Sequence, residues 1–322
     1  LQRSTSGVSS SVHNLQISSP HWQACRRVPG GTVQHLDGFL KATHEERNFI
    51  TRRDVVVRLS DRRTRPREQK TKLGLLKHRD GSILKPLLSC DERTIRERKF
   101  YEQVFSAQES PLELLHLRTF LPKYLGTWKT NFLGQEVEYL RLDDVTREFR
   151  RPSVMDVKIG AQTYDPLATP EKVALEEAKY PWSRQLGFRI LGMRVFDKHE
   201  QKYCIYGKDY GLKQTPDTIL KAFQTFLGMT QQQPSVPTFL PDLLTQLEHI
   251  RCWFETQRLF AFYSSSVLIV YESQTDSPSS KAAHCVAKMI DFAHVFPTLE
   301  CDTNYLYGIC KLISVLREIA RT

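Results

Sequence analysis

The stretch R-P-S-V-M-D-V-K-I-G, residues 151–160, places a carboxylate at Asp156 and an ammonium at Lys158 inside an apolar run that stops at Gly160. On a strand, residues two apart leave the same face. Both charges would therefore leave together, with Met155, Val157 and Ile159 on the other side. One reading is a buried ion pair, which is weak evidence of stability. The other is chemistry: the aspartate accepts a proton from an attacking hydroxyl and the lysine steadies a transferring phosphoryl group. Spacing alone leaves both open.

Three further groups bear on that choice. Lys85 sits late in an apolar run, and Glu97 lies twelve residues on, in a predicted helix. A strand lysine oriented by a helix glutamate is how kinases hold ATP phosphates. A surface lysine and a solvated glutamate would give the same spacing. Asp291 ends the apolar run A-K-M-I and precedes Phe292, as the metal-holding aspartate of kinase-like folds does, and magnesium takes one or two carboxylates plus phosphate oxygens. Lys172 and Lys179 are seven apart, nearly two helical turns, and share a face. They are either a solvated helix side or a grip for a polyanion that Lys208, Lys213 and His294 can join. H-R-D at 78–80 is not a kinase catalytic loop: Gly81 follows it and it precedes Lys85, so it reads as a turn. No G-x-G-x-x-G loop is present, so this is not an ordinary protein kinase.

Local patterns predict the elements that must position these groups. Two apolar runs around Asp80-Gly81 predict a hairpin. Ser89 and Glu92 form a capping-box pair ahead of a helix with Ile95, Tyr101, Val104 and Phe105 as its stripe. V-E-Y-L-R-L-D-D-V alternates like a strand. Thr169 and Pro170 open one helix, and Thr215 and Pro216 predict a second, with Ile219, Phe223 and Phe226 on one face and Gly228 as its stop. D-L-L-T-Q-L-E-H-I-R-C-W-F predicts a buried helix. S-S-S-V-L-I-V-Y-E and A-K-M-I-D-F-A-H predict strands, joined by a polar surface loop over 273–284. A last helix carries Tyr305, Ile309, Leu312, Leu316 and Ile319 at helical spacing.

The 322 residues suffice for one large domain or two lobes. No apolar run approaches the ~20 residues of a membrane span. Seven cysteines without a C-x-x-C pair argue against structural zinc or a disulfide framework and for a reducing compartment. The net charge of +10 is concentrated in residues 51–72, where seven Arg and two Lys face Asp54, Asp61 and Glu68. That stretch is either a solvated segment or a nuclear-import or anion-binding patch. Residues 1–30 lack periodicity and read as a disordered tail.

Residues 151–160 resemble the P-x-x-x-D-x-K-x-G signature of the inositol polyphosphate kinase family. S-S-S-V-L-I-V-Y-E and I-D-F-A-H-V-F-P resemble two later segments of the same family, in the same order. T-Y-D-P-L-A-T-P-E-K-V, K-Y-P-W-S-R-Q-L-G-F-R-I-L-G-M-R-V-F and Y-G-I-C-K-L-I-S-V-L-R-E-I are most similar to its multikinase branch, and the resemblance covers residues 73–320. It implies an α+β, two-lobed fold related to protein kinases, with a short helical inositol-binding insert. Residues 1–60 read as a tail, and the chain beyond it is expected to form an N-terminal lobe over 61–145 and a C-terminal lobe over 146–322 with the insert helix at about 169–182.

By the same resemblance, Lys85 contacts ATP phosphates and Glu97 orients it, while Asp143, Asp144 and Val145 form the hinge, with Asp144 near the ribose. Asp156 serves the attacking hydroxyl, Lys158 the phosphates, and Asp291 Mg2+. Lys172, Lys179, Lys208, His294 and Arg93 grip the inositol phosphates. The implied activity is ATP- and Mg2+-dependent phosphorylation of soluble inositol phosphates, trisphosphate to tetrakis- and pentakisphosphate. Phosphoinositide headgroups are a further substrate class, no specific nucleic acid is implied, and a monomer in nucleus and cytoplasm is expected. The alternatives are a diphosphoinositol-forming hexakisphosphate kinase, a phosphoinositide lipid kinase, and a basic binding module without catalysis. The chain departs from the multikinase pattern at Leu175 and Glu176, where that pattern has glutamines, at Leu212, where it has a basic residue, and at Asp143, where it has a glutamate. Since a carboxylate repels a polyanion, Glu176 is expected to point away from the site or to filter substrates.

Overall fold

In the computed structural model, residues 75–322 are described, apart from 79, 89–90, 109, 133–134, 230–234 and 274–283. The expected tail, the basic stretch 51–72, Ser89 and most of the polar loop 273–284 lie outside the described residues. The first hairpin forms as the pattern predicts. β1 (Leu76–Lys77) pairs antiparallel with β2 (Ile83–Leu87), and Gly81 turns the chain at φ +89°. Asp80 accepts from the Ser82 amide at 2.9 Å and the Ser82 hydroxyl at 2.6 Å, so Asp80 is spent on a turn.

α1 (Glu92–Val104) is capped by Asp91, which accepts from the Arg93 amide. The expected start at Ser89 moves to the residue beside the helix. α1 buries Glu97, Phe100, Tyr101 and Val104. α2 (Leu112–Phe120) and β3 (Tyr124–Phe132) follow, neither of them anticipated, and then β4 (Gln135–Leu142). The four strands form an antiparallel sheet of order β1-β2-β4-β3.

The second sheet has the order β10-β9-β5-β6-β7, built from β5 (Pro152–Ile159), β6 (Phe188–Asp197), β7 (Lys202–Tyr206), β9 (Ser266–Glu272) and β10 (Cys285–Ile290). β8 (Phe260–Phe262) pairs separately with β11 (Val295–Pro297). Between β5 and β6, α3 (Pro170–Ala178) opens on Thr169, whose hydroxyl accepts from the Lys172 amide, with Pro170 in its first turn. α4 (Ser183–Leu186) ends at Gly187. α5 (Lys208–Leu212) precedes α6 (Ile219–Phe226). The helix expected from Thr215-Pro216 starts later, because the Thr218 hydroxyl accepts from the Thr215 amide at 2.9 Å and closes a turn first. α7 (Leu240–Thr256) and α8 (Thr303–Ile319) complete the chain. Among the described residues, no helix is long and apolar enough to cross a membrane.

The core lies between the larger sheet and α6, α7 and α8. Met155, Val157 and Ile159 of β5 share one apolar cluster with the α8 stripe of Tyr305, Ile309, Leu312, Leu316 and Ile319, all of it buried. The opposite face of β5 carries Asp156 and Lys158, together with a small second cluster of Phe149, Val154, Leu268 and Val270. Gly160 ends β5 at φ +102° and donates to the Gly187 carbonyl at 2.8 Å. Gly308 of α8 presses on this junction: a Cβ there would collide with the Gly187 carbonyl and the Gly160 amide. Backbone cannot move aside as a flexible side chain can. Gly308→Ala is therefore expected to destabilise the protein by about 1–3 kcal/mol, the usual range for overpacking, read as a fall in Tm.

Candidate active site

Three elements converge on one ammonium. β2 carries Lys85, α1 carries Glu97, and Asp291 directly follows β10. Lys85 Nζ lies 2.7 Å from Glu97 Oε1 and 3.0 Å from Asp291 Oδ1. Asp291 has φ +65°, a conformation rare for residues other than glycine. That turn is held from α1: the Phe292 amide donates to Glu97 Oε1 at 3.1 Å, and Arg96 donates to the Ala293 carbonyl at 2.9 Å. Burial pulls the Lys85 ammonium down, but Asp291 and then Glu97 outweigh it, and the lysine is held above its ordinary value. It therefore stays charged. The three expected phosphate and metal residues thus share one place although they are scattered through the sequence.

Beyond β4, Asp144 is buried and fully engaged. It accepts from Lys77 Nζ at 3.0 Å, the Thr146 amide at 2.8 Å and the Thr146 hydroxyl at 2.6 Å. Burial raises its carboxyl, while Thr146 and Lys77 outweigh that and lower it. The Asp143 amide donates to the Lys123 carbonyl at 3.0 Å. Val145 packs on the small apolar cluster beside Asp156, as does Ile290, the residue before Asp291.

Asp156 is buried on β5, and Lys158 pairs across the sheet with Arg189 of β6. Directly opposed residues share a face. The register slips at Leu191, between the Asp156–Gly192 and Val157–Ile190 pairs, so the irregularity falls on β6 and the alternation of β5 is kept. Arg189 was not anticipated. It is 6% exposed, its guanidinium lies 5.9 Å from the Tyr180 ring centroid, and its Nε has no hydrogen-bond partner among the described residues. An arginine inside the apolar run G-F-R-I-L-G was the available signal.

Lys172 and Lys179 do share a face, and they meet on Glu176. Lys172 Nζ is 2.7 Å from Glu176 Oε1, and Lys179 bonds the same oxygen. Glu176 therefore does not point away from the cluster, which corrects one of the two expectations for it. Its carboxylate lies between two ammonium groups, and opposite charges at i−4 and i+3 on a helix are neighbours. Burial would raise its carboxyl, but the two lysines hold it at about 2. Glu176 also acts electrostatically on Arg189, which ties α3 to the Lys158 end of β5.

His294 lies 2.5 Å through Nδ1 from Asp165 Oδ2, a loop partner that sequence reading missed. Arg93 closes on Asp91 through two bonds of 2.9 and 2.7 Å. Arg93 first, and His294 more weakly, hold the Asp91 carboxyl below its ordinary value. Lys208 is exposed at the start of α5, and among the described residues no ion pair or hydrogen bond joins it to the others. Among the described residues, no group of three or more His, Cys, Asp or Glu could hold a metal by itself.

A lysine held by a helix glutamate and by an aspartate after a strand is the nucleotide-binding arrangement of kinase-like folds. The family model for inositol polyphosphate kinase matches residues 139–317, and the chain belongs to that family. It is 38% identical over 215 residues to the inositol polyphosphate multikinase of Mus musculus, covering 66% of this chain and 53% of that one. The chain thus spans about half the length of that relative. A solved inositol phosphate multikinase superposes with TM-score 0.57 at 31% identity, over 69% of this chain and 98% of that one. The multikinase Ipk2 of S. cerevisiae, solved with ADP and Mn2+, gives TM-score 0.57 at 20% identity, over 74% and 99%, a likeness of fold.

The Glu176 clamp has a consequence in acid. A folded carboxyl below its unfolded value of 4.5 contributes stability at higher pH and loses it as pH falls toward about 2. Wild type should therefore melt above Glu176→Gln at pH 6, and the gap should narrow between about pH 4.5 and 2, as thermal denaturation at stepped pH would read.

Proposed function

We propose that this chain is an ATP- and Mg2+-dependent kinase that phosphorylates hydroxyls of soluble inositol phosphates, taking the trisphosphate to tetrakis- and pentakisphosphate. The observation that carries the reading is the meeting of Lys85, Glu97 and Asp291, with the charged face of β5 and the lysines of α3 supplying an acceptor side. Phosphoryl transfer is mainly positioning and charge neutralisation, which suits a set made almost wholly of lysine, arginine and aspartate.

Each residue has a role in this reading. Lys85, kept charged by its two carboxylates, binds nucleotide phosphates, and Glu97 orients it. Val145 and the small apolar cluster offer a surface for the base. Asp291 is the carboxylate fitted to a divalent ion: an oxygen donor suits Mg2+, and one or two carboxylates suffice when phosphate oxygens complete the shell. The ion, when bound, neutralises charge on the phosphates. Asp156 accepts the proton of the attacking hydroxyl, and Lys158 holds the phosphoryl oxygens. Lys172, Lys179, Arg189 and His294 bind the phosphates already on the ring, with Asp165 holding one nitrogen of the His294 ring.

The test is chromatography of products formed from inositol 1,4,5-trisphosphate with ATP and Mg2+. Tetrakis- and pentakisphosphate are expected; a product formed only from hexakisphosphate would support the diphosphoinositol-forming alternative, and turnover only of phosphoinositide in vesicles the lipid one. Asp156→Asn should lower kcat by about a hundredfold or more with nucleotide affinity retained, and near-normal turnover would remove Asp156 as the base. Lys172→Ala with Lys179→Ala should raise the inositol phosphate KM about tenfold or more while leaving the ATP KM near wild type. An equal rise in both would return α3 to a solvated helix face.

A further inference from the structure

α3 is an exposed helix, and Glu176 is its one buried residue. Burying a carboxylate is unfavourable unless it is paired and hydrogen-bonded. Surface pairs at i,i+3 and i,i+4 return only a few tenths of a kcal/mol each, so stability of the helix is a poor reason for this arrangement. The pairing itself is unusual for a surface pair. Both ammonium groups converge on one oxygen, Oε1, while Oε2 lies 3.5 Å from the Thr163 hydroxyl. Lys172 and Lys179 remain partly open to solvent at 49% and 32% side-chain exposure, with the carboxylate beneath at 9%. Glu176 also acts on the buried Arg189, the cross-strand partner of Lys158. A single anionic oxygen thus already stands where two lysines meet.

A phosphate arriving there must draw both ammonium groups from Glu176 and then lie beside its carboxylate. The opposition grows with the charge brought in, because like charges repel. Lys172 and Lys179 both bond Glu176, and Arg189 lies under its influence. We propose that Glu176 is a specificity-determining counter-anion that limits how many phosphates the inositol ring can carry when it binds. It competes with the ring's phosphates for the two lysines, and its charge repels every phosphate added beyond them. The inference rests on the inositol phosphate reading of the site and adds to it an upper bound on substrate phosphorylation.

Titration calorimetry of the full chain with inositol 1,4,5-trisphosphate and with inositol hexakisphosphate tests it without turnover. Glu176→Gln removes the charge and keeps the shape, and Glu176→Asp keeps the charge. The glutamine variant should gain about tenfold in hexakisphosphate affinity, one charge-assisted contact's equivalent, and distinctly less for the trisphosphate. The aspartate variant should keep the wild-type ratio of the two affinities. A helical clamp without a role in selection would move both ligands alike or weaken both. A ratio unchanged or lowered in Glu176→Gln overturns the inference. If the glutamine variant does not fold, Glu176→Ala, on a helix where alanine is the best former, gives the same reading. Trisphosphate turnover by wild type with an unchanged ratio defeats this inference alone. Absent turnover with the predicted change of ratio defeats the kinase reading and leaves the charge limit standing. Failure of either ligand to bind any of the proteins defeats both.

Discussion

The Lys85 ammonium is the point on which the architecture turns. Its carboxylate partners come from different parts of the fold: Glu97 from the helix beside the smaller sheet, Asp291 from the end of a strand in the larger one. Two carboxylates so close would repel one another, and the shared cation removes that repulsion. Glu97 serves twice, since it also fixes the amide of Phe292. The unusual backbone of Asp291 is therefore set by the same helix that holds the lysine. Nothing in this set is independent: a shift of α1 would disturb the ammonium, the aspartate and the turn together.

The charged face beyond Lys85 is organised by β5, which presents apolar residues to the core and charged ones to the opposite face. Its neighbour β6 supplies Arg189. α3 buries Glu176 alone, and that carboxylate acts on Arg189. Charge is thus handled differently on the two sides. Around Lys85, one cation is neutralised by two carboxylates; around Glu176, one carboxylate is neutralised by two lysines and lies near an arginine.

What was legible in the sequence was what local chemistry decides. Thr169 and Pro170 predict a helix start because a cap and its proline act within one turn. The α8 stripe is legible because a long periodic helix averages over errors of register. The same logic failed at Thr215, whose amide is taken by the Thr218 hydroxyl, so an identical Thr-Pro signal produced a turn. α2 escaped notice because Pro111 gives it no side-chain cap to read. In the candidate site, residue types were legible but adjacency was not. Lys85 and Asp291 are joined only by tertiary folding, and Asp165 is a loop residue whose histidine partner is distant in the chain. The orientation of Glu176 was not legible because its charge was weighed against a future ligand and not against the lysines a turn away on either side.

The meeting of Gly160, Gly187 and Gly308 has a consequence for variation. Three stretches of backbone touch there with no side chain between them. A side chain added to Gly308 displaces the other two, and one added to Gly187 would strike Gly308 and the Tyr307 ring. A side chain at Gly187 or Gly308 therefore meets backbone of the other, and one at Gly160 meets the Asn304 side chain. Substitution is sterically open on the exposed face of α3 and costly at the junction beneath the end of β5.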